Sequence, residues 1–274
     1  MDYIDEERLR ETLAGAPAAY QAASPFPHIV IDGFLKAEVA AALEAQFPKV
    51  DHTLWKHHLH LNSHKFACNT LGALPELFQA VIRELNSPPL LEYLEALTGI
   101  AGLSADGELE GGGLHQIVPG GYLRVHADFN YHPATGYHRR LNLLLYLNRE
   151  WRGEWDGNLE LWRPDMSGCG KSVVPALNRC VIFSTTDVAF HGHPRPLKCP
   201  PTMSRKSVAL YYYTAERPLE EVSRPHSTLY RRATSDARLA ERAKVLGALL
   251  FSGALYKTVK WHLMEYLSDL LEKF

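Results

Sequence analysis

The amino-acid sequence predicts a mainly β protein with flanking helices, which places it in the α+β class. Two changes of hydrophobic pattern lead to this prediction. Apolar residues recur mostly at helical spacing before Gly111, then in strand-like runs for about a hundred residues, and at helical spacing again from residue 223. With 274 residues, of which 46% are apolar, the chain is long enough to bury a core.

The part before Gly111 is predicted to be an α/β flank, residues 1–110. Residues 1–22 indicate a short amphipathic helix, and Phe26–Ile31 indicates a strand that ends at Asp32-Gly33. Helical spacing returns in three segments, Lys36–Gln46, Pro75–Asn86 and Leu90–Thr98.

Short β-rich runs follow, separated by Gly, Pro, Asn or Asp. They are Leu114–Val118, Tyr122–Phe129, Arg140–Asn148, Asn158–Trp162, Ser172–Val174, Cys180–Ser184 and Lys206–Thr214. Strands at this spacing, with turn residues between them, are typical of a sandwich or a barrel. We therefore expect a double-stranded β-helix (jelly-roll) core at about residues 111–215, with the N-terminal helices packed on one sheet.

The expected organisation is one domain over residues 1–222 and a C-terminal helical extension over residues 223–274. The extension has apolar faces, so we expect it to pack on the core or to form a homodimer. The basic stretch Arg224–Lys244 is interpreted as a solvated helical face rather than as a nucleic-acid site.

Composition argues against several classes of function and location. The formal net charge of -2 gives no argument for binding to nucleic acid or to a membrane surface. The four cysteines lack a CxxC pattern, which favours a reducing compartment and free thiols. The sequence shows no signal peptide and no apolar run long enough for a transmembrane segment. We expect a cytoplasmic protein without a nucleic-acid partner.

The clearest chemical signal is the tripeptide His126-Ala127-Asp128, which lies in a predicted strand. Side chains on a strand alternate, so the histidine and the carboxylate share one face, together with Tyr122 and Arg124. A third ligand is expected on a later strand, and His191-Gly192-His193 follows an apolar strand. Two histidines and one carboxylate are typical of non-haem Fe(II) sites, although zinc fits the same ligands.

A second signal lies at the start of the last strand, where Arg205 and Ser207 face the same way. A guanidinium with a hydroxyl beside it suits a buried carboxylate. A 2-oxo dicarboxylic acid could chelate the metal through one end and bind Arg205 through the other. Tyr146, predicted to share a strand face with Asn142 and Arg140, could donate its hydroxyl to the same carboxylate.

In this order, these residues resemble the 2-oxoglutarate/Fe(II)-dependent dioxygenase superfamily, in particular its prolyl-4-hydroxylase-like branch. The supporting motifs are Gly120-Gly-Tyr-Leu-x-x-His-x-Asp-Phe, Arg139-Arg-Leu-Asn-Leu-Leu-Leu-Tyr-Leu-Asn, Leu159-Glu-Leu-Trp and His191-Gly-His-Pro. The resemblance covers roughly residues 25–214. It implies that the iron ligands and catalytic residues are His126, Asp128 and His191, with His193 as a rival to His191. It also implies that Arg205 binds the distal carboxylate of 2-oxoglutarate, assisted by Tyr146. Ser207, on the same strand face as Arg205, is expected to add its hydroxyl.

Two features of the sequence depart from the pattern of this branch. The spacing from His191 to Arg205 is longer, and prolines occupy the additional residues. Val118 stands where the branch tends to place a second tyrosine for 2-oxoglutarate, so Tyr122, Gln116 or His115 is expected to replace it.

The resemblance implies a hydroxylase that uses Fe(II), 2-oxoglutarate and O2, with ascorbate as an optional further cofactor. It would oxidise an unactivated C–H bond of a small molecule or a peptidyl residue and release succinate and CO2. Hydroxylation is expected because halogenating members have a small residue at the position of Asp128. The alternative is a non-catalytic, cupin-like jelly roll that only binds a metal or ligand. The cluster His57, His58, His60 and His64 is interpreted as a loop or strand edge at the substrate entrance.

Overall fold

The computed structural model describes residues 1–231. The helices of this part are α1 (Glu6–Leu13), α2 (Ala16–Ala22), α3 (Ala37–Ala45), α4 (Glu76–Leu85) and α5 (Pro88–Thr98). The strands are β1 (His28–Asp32), β2 (Lys56–His60), β3 (Ser63–Cys68), β4 (Ser104–Ala105), β5 (Gly113–Ile117), β6 (Tyr122–Ala127), β7 (His138–Tyr146), β8 (Leu159–Trp162), β9 (Cys169–Val173), β10 (Arg179–Ser184), β11 (His191–His193), β12 (Arg205–Thr214) and β13 (Leu229–Tyr230).

The strands form one antiparallel sheet in the order β1-β10-β7-β12-β5-β3-β6-β11-β8-β9. Strands β13, β2 and β4 pair with β6, β3 and β12, respectively. The sheet is curled: β8 and β9 lie far from β7 and β10 in the strand order, yet their side chains pack together in one buried cluster. The predicted jelly-roll core within an α+β fold is therefore confirmed.

Alternating residues of β7 separate the outer face of the sheet from its interior. Leu141, Leu143 and Leu145 are fully buried and share a cluster with side chains of α3, α4 and α5. Burying a leucine in this way contributes roughly 1.5–3 kcal/mol relative to leaving it exposed. Asn142 and Tyr146, which alternate with these leucines, face the interior, so the helices that stabilise the sheet also orient the cavity side of β7.

The helices predicted within residues 1–110 are present, with changes at their ends. Residues 1–22 form two helices rather than one, because the chain leaves helical geometry at Gly15, which precedes α2. Helix α5 begins at Pro88, before the predicted start at Leu90, since proline is tolerated in the first turn. It ends at Gly99, whose φ of 70° lies in the left-handed region that favours glycine.

Two segments differ from the sequence prediction. The histidine-rich region forms the hairpin β2-β3, and β3 lies between β5 and β6 in the sheet. Leu229–Tyr230, predicted to be helical, forms β13 instead. His191–His193, by contrast, forms the short strand β11 of the same sheet, as expected for the third ligand. The domain boundary after residue 222 stays a prediction, and residues 232–274 of the predicted extension, with the proposed homodimer contacts, lie outside the described residues.

Two register shifts determine which side chains point into the sheet's interior. Along β6, His126 pairs with His191 but Leu123 pairs with His193, so β6 has one residue more than β11 over this stretch. Along β7, Leu141 pairs with Tyr212 and Arg139 with Tyr213, which makes Arg140 the extra residue. Such bulges reverse the alternation of side chains beyond the extra residue.

Within residues 1–231, no helix is long and apolar enough to cross a membrane.

Candidate active site

A cavity inside the curled sheet brings together most of the residues predicted to form the site. Six of them line it: His126, Asp128, Tyr146, His191, Arg205 and Ser207. Other polar residues of the lining come from β3, β5, β7, β11 and the segment that ends in β13, and they include Lys65, His115, Arg139, Asn142, His193 and Tyr230.

Three potential metal ligands meet at one end of this cavity. One donor atom from each of His126, Asp128 and His191 lies within 4.8 Å of the others. The Nε2 atoms of both histidines are 3.5 Å from carboxylate oxygens of Asp128. The pairing of β6 with β11 places the two imidazole rings side by side, with their centroids 4.4 Å apart.

Backbone contacts determine which nitrogen of each histidine is free to bind a metal. Nδ1 of His126 donates to the carbonyl oxygen of Arg124 (2.8 Å), and Nδ1 of His191 donates to that of Ala189 (3.0 Å). Because a carbonyl oxygen only accepts, Nδ1 holds the hydrogen and Nε2 keeps its lone pair. Burial lowers the pKa of His191 to about 4, so its ring is neutral near pH 7.

The three ligands therefore present lone pairs to one point. A divalent cation satisfies all three, and two histidines with one carboxylate suit Fe(II) while leaving other positions open. The residues present thus fit the metal that the sequence predicts.

Arg139 and Asn142 hold the carboxylate of Asp128 in place. Nδ2 of Asn142 donates to Oδ2 of Asp128 at 2.7 Å, and Nη2 of Arg139 lies 3.0 Å from the same oxygen. Burial alone would raise the pKa of Asp128, but the charge of Arg139 and the two histidines hold that pKa well below its usual range. Asp128 is therefore ionised and oriented before any metal binds.

The other part of the cavity contains a buried guanidinium group. Arg205 is 5% exposed; its Nε donates to the carbonyl oxygen of Gly157 at 2.7 Å, and its Nη2 to the hydroxyl of Tyr146 at 3.1 Å. Ser207 pairs with Tyr146 across β12 and β7. Among the described residues, no carboxylate pairs with Arg205. A buried charge without a partner is costly, so this pocket fits an external carboxylate such as the distal one of 2-oxoglutarate.

Gly157 permits the close approach of its backbone to Arg205. Its φ is +78°, and a Cβ atom there would lie 2.5 Å from Leu197 and 3.3 Å from the Arg205 side chain. A larger residue would clash with Leu197 and crowd the side chain of Arg205.

Comparison with protein families identifies the core. Residues 112–213 match the model of the 2OG-Fe(II) oxygenase superfamily. This segment includes all three residues of the metal cluster and the Arg205 pocket. Residues 112–213 belong to the 2OG-Fe(II) oxygenase superfamily. The predicted 2-oxoglutarate-dependent dioxygenase, with Fe(II) and 2-oxoglutarate as cofactors, is thereby confirmed, whereas ascorbate stays a prediction.

Solved structures support the same fold. A prolyl-4-hydroxylase of Pseudomonas putida aligns with a TM-score of 0.52 and 18% identity, covering 74% of the oxygenase and 99% of that chain. A prolyl 4-hydroxylase from Phytophthora capsici aligns with a TM-score of 0.55 and 20% identity, covering 98% and 86% of the two chains. These alignments show that the chain shares the fold of the prolyl 4-hydroxylases.

A third structure has a peptide bound. It is a prolyl hydroxylase in complex with a peptide fragment of the hypoxia inducible factor oxygen degradation domain from Trichoplax adhaerens. It aligns with a TM-score of 0.54 and 15% identity, covering 76% of the oxygenase and 91% of that chain. A search of curated proteins finds no match to the sequence.

Two residues predicted to bind 2-oxoglutarate lie outside the cavity lining of the oxygenase. The hydroxyl of Tyr122 is directed to the carbonyl oxygens of His60 and Leu61, at 3.4 and 3.5 Å. The extra residue in β6 explains this position, since it moves Leu123 to the side of His126.

Gln116 is the other predicted residue that lies outside the cavity lining. It donates through Nε2 to the hydroxyl of Ser204 at 2.8 Å. It points away from the cavity because it alternates along β5 with His115 and Ile117, which line the wall. His115, the third candidate for the missing tyrosine, is therefore the one that faces the cavity.

The structure also adds residues that the sequence did not indicate. Arg139, rather than Arg140, faces the cavity, because the extra residue in β7 reverses the alternation. Arg140 instead donates to the hydroxyl of Thr214 and lies 3.6 Å from Glu221. Lys65 was missed because β3 was not predicted as a strand, and its polar residues obscure the strand pattern.

His193, the rival metal ligand, lines the cavity but does not belong to the three-residue cluster. It is 2% exposed, and neither ring nitrogen has a hydrogen-bond partner among the described residues. The histidines of the β2-β3 hairpin form no metal cluster within the described residues, and His57 stacks on Phe66 with ring centroids 4.4 Å apart.

Proposed function

We propose that the oxygenase hydroxylates an unactivated C–H bond of a small molecule or a peptidyl residue, coupled to conversion of 2-oxoglutarate to succinate and CO2. The observation that carries this proposal is the presence, in one cavity, of the His126, Asp128 and His191 cluster and an unneutralised Arg205. A chelating 2-oxo dicarboxylate would use both.

In this proposal, His126, Asp128 and His191 hold Fe(II), which together with 2-oxoglutarate supplies the chemistry of O2 activation. The role of the surrounding residues is to orient these ligands. Asn142 and Arg139 both bind Oδ2 of Asp128, so Oδ1 is left for the metal. The backbone carbonyls behind the histidines keep each Nε2 directed at the same point.

Arg205, Tyr146 and Ser207 would orient 2-oxoglutarate by its distal carboxylate. The guanidinium is held by Gly157 and Tyr146, so little side-chain freedom is lost when a carboxylate binds. The carboxylate of Asp128 supports hydroxylation rather than halogenation, since it occupies the position that a halide would need.

Oxygen-dependent release of succinate tests the function. Full-length protein with Fe(II) and 2-oxoglutarate should consume O2 and release succinate, faster in the presence of its substrate. A screen of amino-acid derivatives, proline peptides, sugars and natural-product intermediates should reveal a product that gains one oxygen atom by mass spectrometry. Tight binding of 2-oxoglutarate without O2 consumption or succinate release would instead identify the non-catalytic jelly-roll alternative.

A further inference from the structure

Lys65 lies on the wall of the cavity, outside the segment that matches the family. Its strand, β3, pairs with β5 so that Phe66 stands opposite Gln116. The next step along this register brings Lys65 beside Ile117, and Ile117 pairs on its other side with Arg205. Lys65 and Arg205 therefore flank Ile117 from two strands, with backbones about 10 Å apart at the usual strand spacing.

The side chain of Lys65 is half-buried and, within the described residues, makes no hydrogen bond or ion pair. Burial lowers its pKa to about 8, and the charge of Asp128 offsets this in part. Among the charges that shift the pKa of Lys65, that of Asp128 has the largest effect, ahead of those of Arg139 and Arg205. The ammonium group is therefore within electrostatic reach of both the carboxylate of Asp128 and the guanidinium of Arg205.

The charges of the cavity do not balance. Among the described residues that line it, Asp128 is the one carboxylate, and Arg139 already pairs with it at 3.0 Å. Lys65 and Arg205 remain as two cations without a carboxylate. A ligand with a carboxylate at each end would neutralise both, and 2-oxoglutarate has this form.

We propose that Lys65 is a second cationic anchor for 2-oxoglutarate, which contacts the carboxylate beside the oxo group while Arg205 binds the distal carboxylate. This inference rests on the proposed function. At this end of β5, Ile117 and Val118 offer only apolar side chains, so Lys65 supplies a polar contact that β5 lacks there.

Two ligands that differ by one carboxylate separate the roles of the two cations. 2-Oxovalerate has the same carbon chain as 2-oxoglutarate but lacks the distal carboxylate. Binding of each ligand to the full-length protein is measured by calorimetry with Mn(II) in the absence of O2, at concentrations that saturate the wild type. The variants are Lys65→Met, Lys65→Arg and Arg205→Met, with Lys56→Met on the neighbouring strand β2 as the matched control.

Lys65→Met should weaken both ligands roughly 10- to 100-fold, as expected for loss of a charge-assisted contact. Arg205→Met should weaken 2-oxoglutarate alone, and Lys65→Arg should retain part of the affinity. Lys56→Met should bind both ligands like the wild type. Thermal unfolding of Lys65→Met should occur at the wild-type temperature or above it, since the variant removes an unpaired charge from a half-buried position.

Three other binding results would contradict either the role of Lys65 or the proposed function. If Lys65→Met weakened 2-oxoglutarate but not 2-oxovalerate, Lys65 would act at the distal carboxylate and the assignment would be wrong. If it bound both ligands normally, Lys65 would serve another ligand, and the inference would fail while the proposed function stood. If the wild type itself did not bind 2-oxoglutarate, the proposed function would fail instead.

Discussion

Arg139 and Asp128 form a buried ion pair, with Nη2 of the arginine 3.0 Å from Oδ2 of the carboxylate. The guanidinium also lies 3.4 Å above the ring of Tyr211, and it donates through Nε and Nη2 to Oδ1 of Asn142. The same amide donates to Asp128, so three side chains form one network behind the proposed metal ligand.

The first prediction concerns this network. Arg139→Met should weaken binding of Fe(II) or Mn(II) about 10- to 100-fold, the usual effect of removing a group that orients a metal ligand. Metal affinity is measured by calorimetry in the absence of O2. Arg140→Met is the matched control, because its neighbouring guanidinium lies outside the cavity and contacts Thr214 and Glu221. Equal metal affinity in both variants would show that Arg139 does not orient Asp128.

The second prediction separates the two histidines of β11. His191→Ala should abolish succinate release and metal binding, as should His126→Ala and Asp128→Ala. His193→Ala should keep metal binding within about threefold, since its ring nitrogens lie outside the three-donor cluster. Metal content and O2 consumption are the measurements. Loss of metal in the His193 variant with retention in the His191 variant would exchange the roles of these two residues.

The third prediction concerns the distal carboxylate. Arg205→Ala should raise the 2-oxoglutarate requirement by the equivalent of about 2–5 kcal/mol, since it removes one partner of a buried charged pair. Tyr146→Phe removes a single neutral hydroxyl and should cost about 0.5–1.5 kcal/mol. The concentration of 2-oxoglutarate at half-maximal succinate release measures both. Normal affinity in the Arg205 variant, with an intact fold by circular dichroism, would place the co-substrate pocket elsewhere.

The fourth prediction follows from the pKa of Lys65, which burial lowers to about 8 in the folded protein. The unfolded chain keeps its lysine proton up to about pH 10.4, so between these values the unfolded state binds more protons and stability rises with pH. Below pH 8 the folded protein bears the full cost of the buried charge. Lys65→Met should therefore stabilise the metal-free protein more at pH 7 than at pH 10.

Urea unfolding of the wild type and Lys65→Met at the two pH values measures this effect. Taking the difference in free energy of unfolding between the two proteins cancels the contribution of the other titrating groups. Lys56→Met, at an exposed position, should show no such change between pH 7 and pH 10. A stability difference for Lys65→Met that is the same at both pH values would contradict the lowered pKa.

Much of the site could be predicted because its residues lie close together in sequence. His126 lies on β6 and Asp128 just beyond its end, whereas Arg205 and Ser207 both lie on β12. The members of each pair are two residues apart, so simple alternation places each pair on one face. The same rule failed for Tyr122 and for Arg140, because an extra residue in β6 and another in β7 reverse the faces. Nothing in the local composition of either strand marks these bulges.

The sequence by itself was enough to predict the fold class, which is confirmed, and to propose the metal-binding triad and the anchor Arg205, since these depend on strand periodicity and on the order of short motifs. Only the tertiary structure decided that Arg139 supports Asp128, that Gln116 points away from the cavity, and that β3 enters the sheet between β5 and β6 to bring Lys65 to the wall. The physical reason is that register and strand order arise from backbone pairing between distant segments. A shift of one residue moves a side chain from one face of a sheet to the other.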